Sequence, residues 1–280
     1  MRLNEIQLHI ASMEELRRIV SALRSLASMR MQQAAHAIAS VRQYSSAIDT
    51  AIEDVLPLLP ETPLQRGAAR AARRALILCT SEQGFVGDFN ERLFEAAQAD
   101  LRPEDALFVL GTRGRMLAQG RAWPVSWSDP MATRIATLTE TVRRLVAELY
   151  GAIARNEVTS ARVIFARYRR GTTPAIERRA LFPLDLARNP QPRPLQPPLH
   201  NLSLAALLEK LVSEFMFALL CEAAIESLAS ENAARFNAME AAHDNVSRKL
   251  QDLESAARQA RQEEVTTELL DLVTGAEAAG

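Results

Sequence analysis

Between Val20 and Val55 the apolar and small positions recur at strictly alternating three- and four-residue steps: Val20, Leu23, Ala27, Arg30, Ala34, Ala37, Val41, Tyr44, Ile48, Ala51 and Val55. That spacing is the seam of a helix packed along another helix. Leu3, Ile6, Ile10, Met13 and Leu16 extend it upstream, with an extra three-residue step between Met13 and Leu16, a stammer that overwinds a coiled coil locally. The rhythm returns late in the chain as Phe236, Met239, His243, Val246, Leu250, Leu253, Ala257 and Ala260. Arg30 and His243 are polar at seam positions and are read as setting register rather than binding a ligand. Helix breakers agree with this layout. All 10 glycines and 13 prolines fall between Pro57 and Pro198, except Gly275 and Gly280.

The middle of the chain changes period. Ala75 to Thr80 is a short continuous apolar run typical of a buried parallel strand. Beyond it the pattern predicts a helix over 88–99, a strand over 106–110, a helix over 112–119, a strand near 123–127, a helix over 132–154, and strands over 161–168 and 176–182. Alternating strands and helices imply an α/β domain with a mostly parallel, Rossmann-like sheet. The chain therefore divides into an N-terminal coiled-coil helix (1–56), a connector (57–74), the α/β domain (75–182), a proline-rich connector (183–198) and a C-terminal coiled-coil helix (199–280).

Geometry orients the two helices. At ~1.5 Å per residue they reach about 80 and 110 Å, whereas a domain of about 140 residues has a radius of gyration near ~14 Å. So small a body cannot join the end of one helix to the far end of a parallel partner, so the pairing must be antiparallel. The second helix then overhangs the N-terminus by about 20 residues, or roughly 30 Å. That overhang, from about residue 258, carries Val265, Leu269, Leu270, Leu272 and Val273. A lone helix with exposed leucines needs cover from outside the chain.

Charge and composition add mostly exclusions. The net charge of −1 gives no signal for nucleic acid or an anionic membrane. The basic run Arg66, Arg70, Arg73 and Arg74, and the acidic excess after residue 250, read as solvated faces. Glu5, His9, Glu14 and Glu15 interrupt any signal-peptide core, and Glu209, Lys210, Glu214, Glu222 and Glu226 break up the most apolar helical stretch. Cys79 and Cys221 read as buried free thiols. His9, His36, His200 and His243 have no metal-ligand spacing. The loop Ser81-Glu82-Gln83-Gly84-Phe85-Val86-Gly87-Asp88-Phe89-Asn90 sits where a dinucleotide site would lie. It has neither glycine fingerprint, and the only lysines are Lys210 and Lys249. Gly87 is expected to allow close packing or a positive φ, and Asp88 with Glu91 to cap the following helix. No catalytic serine elbow or Cys–His pair stands out.

Val265-Thr266-Thr267-Glu268-Leu269-Leu270-Asp271-Leu272-Val273-Thr274-Gly275-Ala276 satisfies every fixed position of one family's C-terminal pattern: Ile or Val, Thr, any residue, Glu, two positions, an acid, three positions, Gly-Ala. Ser227 to Glu231, Ala234-Arg235, Ala238-Met239, Asp244-Asn245, Glu5-Ile6 and Ile10 to Ser12 are also similar to it. The whole chain resembles the gamma subunit of F-type ATP synthases. It departs from the family at Arg18 to Leu23, where Lys-Ile-Thr-Lys-Ala-Met is common, and at Gln83, Val86 and Asp88 in the loop, where Arg, Cys and Gly are usual. These departures suggest a divergent, alternative bacterial branch.

The resemblance implies a rotary central-stalk subunit with no catalytic site and no cofactor of its own, ATP, ADP and Mg being held by partner subunits. It implies as partners the alpha and beta subunits of the catalytic hexamer, an epsilon subunit and a c-ring, at the cytoplasmic face of a bacterial inner membrane. It carries partner contacts onto Arg18, Leu23, Glu82, Gln83, Arg235, Thr266, Thr267, Glu268 and Asp271. The competing readings are a nucleotide-sensing or enzymatic α/β domain dimerised through a coiled coil, and a structural tether with a coiled-coil arm.

Overall fold

The computed structural model describes residues 3–59, 73–183 and 199–278, with side chains described up to residue 270 in the last stretch. In order, the elements are α1 (Leu3–Val55), a 3-10 turn (Leu56–Leu58), β1 (Arg74–Cys79), α2 (Phe89–Gln98), β2 (Ala106–Leu110), α3 (Thr112–Gly120), β3 (Val125–Asp129), α4 (Ile135–Ala154), β4 (Ser160–Arg167), β5 (Ala175–Phe182) and α5 (Leu204–Ala278). Most of the two connectors, 60–72 and 184–198, with Arg66 and Arg70, lies outside the described residues. The chain forms two compact units, Ser28–Arg235 and Met1–Ala27 with Phe236–Gly280.

The larger unit is built on a five-stranded sheet of order β3-β2-β1-β4-β5. Three pairings are parallel and only the β4–β5 hairpin is antiparallel. β1 lies at the centre and all six of its residues are buried, as its unbroken apolar run requires. Its alternate residues serve two cores. Ala75, Ile77 and Cys79 join α4 (Leu138, Val142, Leu145, Leu149) and the α1 and α5 positions Ala34, Ile38 and Met216 to Ala229. Leu76 and Leu78 join Leu93, Phe94 and Ala97 of α2 and Ala118 of α3 on the other face.

Residues 218–232 of α5 are buried without interruption. In this unit α1 and α5 are antiparallel. Ile48, Ile52 and Val55 at the end of α1 pack on Leu208 and Val212 near the start of α5, while Arg42 reaches Glu222 and Glu226 further along. The α1 seam departs from the predicted one here. Tyr44 is 46% exposed and its hydroxyl bonds Glu214, whereas Ile38, Ser45 and Ile52 are buried. A strict coiled-coil seam assumes one neighbour, but here Ala34 and Ile38 also face the sheet core, which rotates the buried stripe by one residue.

In the smaller unit Ile6, Val20 and Ala27 of α1 are buried, as are Met239, Val246, Leu250 and Leu253 of α5, all at predicted seam positions. Arg24 and Glu240 pair at 3.0 Å. Up to residue 270, Leu253 is the last buried residue of α5, and residues 261–270 are all exposed, including Val265, Leu269 and Leu270. Among the described residues no helix is long and apolar enough to cross a membrane.

Candidate functional site

The β1–α2 loop leaves the C-terminal edge of the sheet, the edge where α/β folds place their ligands. Side chains of the loop itself hold it down. Asn90 Oδ1 accepts from the Ser81 N–H at 3.0 Å, and Asn90 Nδ2 donates to Ser81 Oγ at 2.8 Å, fixing the start of α2 to the end of β1. Glu82 turns inward. Its carboxylate accepts from the Thr112 N–H (3.0 Å), the Thr112 hydroxyl (2.7 Å) and the Met131 N–H (2.9 Å). It thus fills the first donor position of α3, where the helix dipole would otherwise favour an external anion. Gly114 lets α3 come this close, since a Cβ there would lie 2.1 Å from Thr80 Oγ1.

The crest of the loop is open. Phe85 is 71% exposed and left-handed at φ 59°, and Gly87 has φ 56°. A Cβ at Gly87 would meet nothing within 4 Å, so of its two expected uses only the positive φ applies. The expected cap is corrected. Asp88 starts α2 at φ −83° and ψ 6° with no side-chain bond to the helix, because a capping side chain needs extended backbone to reach back. Glu91 instead pairs with Arg121 at 2.5 Å. An open depression of about 510 Å³ lies beside the crest, with Gly84, Phe85, Gly87, Arg113 and Met116 along it. The residues around it include no carboxylate, histidine, cysteine or lysine.

Behind the loop lies a buried charge cluster on α5. Arg235, 7% exposed, bonds Glu231 at 2.6 Å, Asn232 Oδ1 at 3.1 Å, and the carbonyls of Gln83 and Gly84, each at 3.2 Å. Burial pushes the Glu231 carboxyl above its ordinary range despite Arg235 and the Gln83 N–H, and Glu82 adds to the rise. A second cluster joins α1, α5 and the β4–β5 hairpin. Glu222 binds Arg42 (3.2 Å) and Arg179 (2.7 Å), and Glu226 binds Arg42 and the Tyr168 N–H (2.8 Å). The sequence reading missed it. Its available signal was a pair of glutamates one turn apart in an otherwise apolar stretch, which must find cations if buried.

Cys79 and Cys221 are free and buried, and burial pushes both thiols up to about 12. No group of three or more His, Cys, Asp or Glu is placed to hold a metal among the described residues.

The profile of the ATP synthase family matches residues 2–279. The chain belongs to the ATP synthase gamma family. The ATP synthase gamma chain of Frankia casuarinae is 27% identical over 291 residues, covering 99% of this chain and 97% of that one. That of Geobacter sp. (strain M21) is 24% identical over 283 residues, covering 99% and 98%. Among solved structures, a chain of the Euglena gracilis mitochondrial ATP synthase shares the fold with a TM-score of 0.64 at 14% identity, covering 99% of this chain and 94% of that one. A chain of the Tetrahymena thermophila ATP synthase central stalk and c-ring gives 0.58 at 18%, covering 80% and 99%.

In this gamma-family chain the residues carried over as partner contacts fall into three groups. Arg18, Gln83, Thr266, Thr267 and Glu268 are exposed and Leu23 is half-buried. The Thr266 and Thr267 hydroxyls bond back to the carbonyls of Gln262 and Glu263, which leaves the helix surface without unsatisfied donors there. Glu82 is half-buried and Arg235 is buried, and both make hydrogen bonds within the chain. Asp271 lies on α5, and its side chain is outside the described residues.

Proposed function

We propose that this chain is the central-stalk rotor of an F-type ATP synthase. It transmits torque between a membrane c-ring driven by an ion gradient and a catalytic hexamer of alpha and beta subunits, with an epsilon subunit beside its α/β domain. Run in reverse, ATP hydrolysis in the hexamer turns the chain and drives ion pumping. The observation that carries this reading is the gamma-family match along essentially the entire chain.

The geometry supports it. A torque-bearing subunit needs a stiff join between shaft and body. In the larger unit α5 is buried on every side over 218–232 and tied by charge-assisted bonds to α1 and the β4–β5 hairpin. The exposed run 261–270, with Val265 and Leu269 in solvent, fits a segment that a surrounding sleeve covers.

Chemistry belongs to the partners in this reading, which hold ATP, ADP and Mg, and this chain has no catalytic site or cofactor of its own. Glu82 at the start of α3 supports that part, because its carboxylate takes the donor position an anionic ligand would use. The chain works peripherally, at the cytoplasmic face of a bacterial inner membrane, and the departures at Gln83, Val86 and Asp88 mark a divergent branch. Native mass spectrometry of the complex purified from its source tests the reading. It should give one copy of this chain with an alpha–beta hexamer, and recovery as a free homodimer would count against it.

A further inference from the structure

Arg235 spends four of its five N–H donors inside the chain. Two go to carbonyls of the β1–α2 loop, 151 and 152 residues away in sequence. Glu231, one turn earlier on α5, takes Arg235 and also the Gln83 N–H. The pair thus grips Gln83 by both its N–H and its carbonyl, and Gly84 by its carbonyl. Surface ion pairs do not have this form. Both side chains are nearly inaccessible, at 8% and 4% exposure, and the guanidinium fork is directed at backbone acceptors. The loop it holds has the non-glycine residue Phe85 in a left-handed conformation, which a free loop would leave. On its other side Glu82 fixes the loop to α3 and to the segment after β3.

We propose that Glu231 and Arg235 form a clamp that fixes the β1–α2 loop to α5, so that loop and helix move as one body. Arg235 is then a positioning residue for torque transfer, acting through the loop rather than touching a partner. The consequence in the complex rests on the rotor reading, whereas the clamp is a property of the chain alone.

The test uses the full chain with Arg235→Gln and Arg235→Lys. Amide hydrogen exchange of the free protein should quicken about tenfold or more at 83–87 in both variants, the loss of one or two bonds to a charged group, with Leu76 to Cys79 protected as before. Lysine should not rescue, because one ammonium cannot reproduce a fork that reaches two carbonyls and a carboxylate. In the reconstituted ion-translocating complex, both variants should move fewer ions per ATP hydrolysed. Unchanged exchange at 83–87 in Arg235→Gln overturns the clamp whether or not the chain is a rotor. Full coupling in Arg235→Lys with loss in Arg235→Gln also overturns it, by assigning Arg235 to a charge contact with a partner. Loss of protection throughout the sheet in both variants contradicts it too, making Arg235 a determinant of the fold. A wild-type chain that does not assemble with the hexamer sinks the rotor reading and leaves the exchange result to decide the clamp.

Discussion

Asp100 joins two arginines at the edge of the sheet, accepting from Arg162 at 3.0 and 2.9 Å and from Arg74 at 3.2 Å. Burial pushes its carboxyl up, but the bonds from Arg162 and Arg74 outweigh this and hold it below the ordinary range. A depressed carboxylate stabilises the fold fully above its unfolded value of about 3.9, and that contribution is lost as pH falls through the lower folded value. Asp100→Asn should therefore cost about 1–3 kcal/mol near neutrality. Urea unfolding at both pH values should show a smaller cost at pH 3, where the wild-type carboxyl is also being neutralised. Glu231 has the opposite sign: its raised value makes it weaken the fold as pH rises from the unfolded toward the folded value. Two acids of the loop should also differ. Glu82→Ala removes three bonds to a carboxylate and should cost about 1.5–3 kcal/mol, whereas Asp88→Ala, with no cap bond to lose, should stay within about 0.5 kcal/mol. Equal costs for the two in urea titration would contradict the assignment of Glu82 as the loop's internal tie.

At the scale of elements, α5 joins two regimes in one helix. Over 218–232 it is core, and Leu228→Ala, at 2% exposure, should cost about 2–5 kcal/mol in thermal or urea unfolding. From residue 254 to residue 270 it has little burial to hold it. Amide exchange in the isolated chain should be fast from about Arg258, with protection gained on assembly, and strong protection in the monomer would remove the need for an external cover. Much of this was legible in sequence because it rests on period. The run Ala75 to Cys79 has only one good home, the centre of a parallel sheet, and the 3–4 steps of Met239 to Leu253 admit only a seam. The rotation of the α1 stripe onto Ile38, Ser45 and Ile52 was not legible, since it comes from a second neighbour that the local pattern does not encode. The Arg42–Glu222–Arg179 cluster spans residues far apart in sequence, and the burial of Arg235 was not readable from its type. Asp88 misled for a local reason: its residue type suits a cap and its backbone angles do not.

For the molecule as a whole, the distribution of chemistry is the main consequence. Every strongly buried acid described above, Glu222, Glu226 and Glu231, is matched by an arginine on another element or one turn away. Each of these buried acids is compensated by a paired guanidinium rather than left as an isolated charge. Titration of the purified chain with ATP and with NADH should accordingly show no saturable binding in the micromolar range, and tight stoichiometric binding abolished by Gly84→Ala would favour a nucleotide-sensing domain instead. A rotor must turn relative to the hexamer around it. Because Cys79 and Cys221 are buried, a single exposed thiol introduced by Arg169→Cys can carry a probe selectively. With this chain assembled into an immobilised alpha–beta hexamer, single-molecule imaging should show the probe rotating in one direction while ATP is hydrolysed and stopping when ATP is withdrawn. A probe that stays fixed relative to a hexamer actively hydrolysing ATP would contradict the rotor.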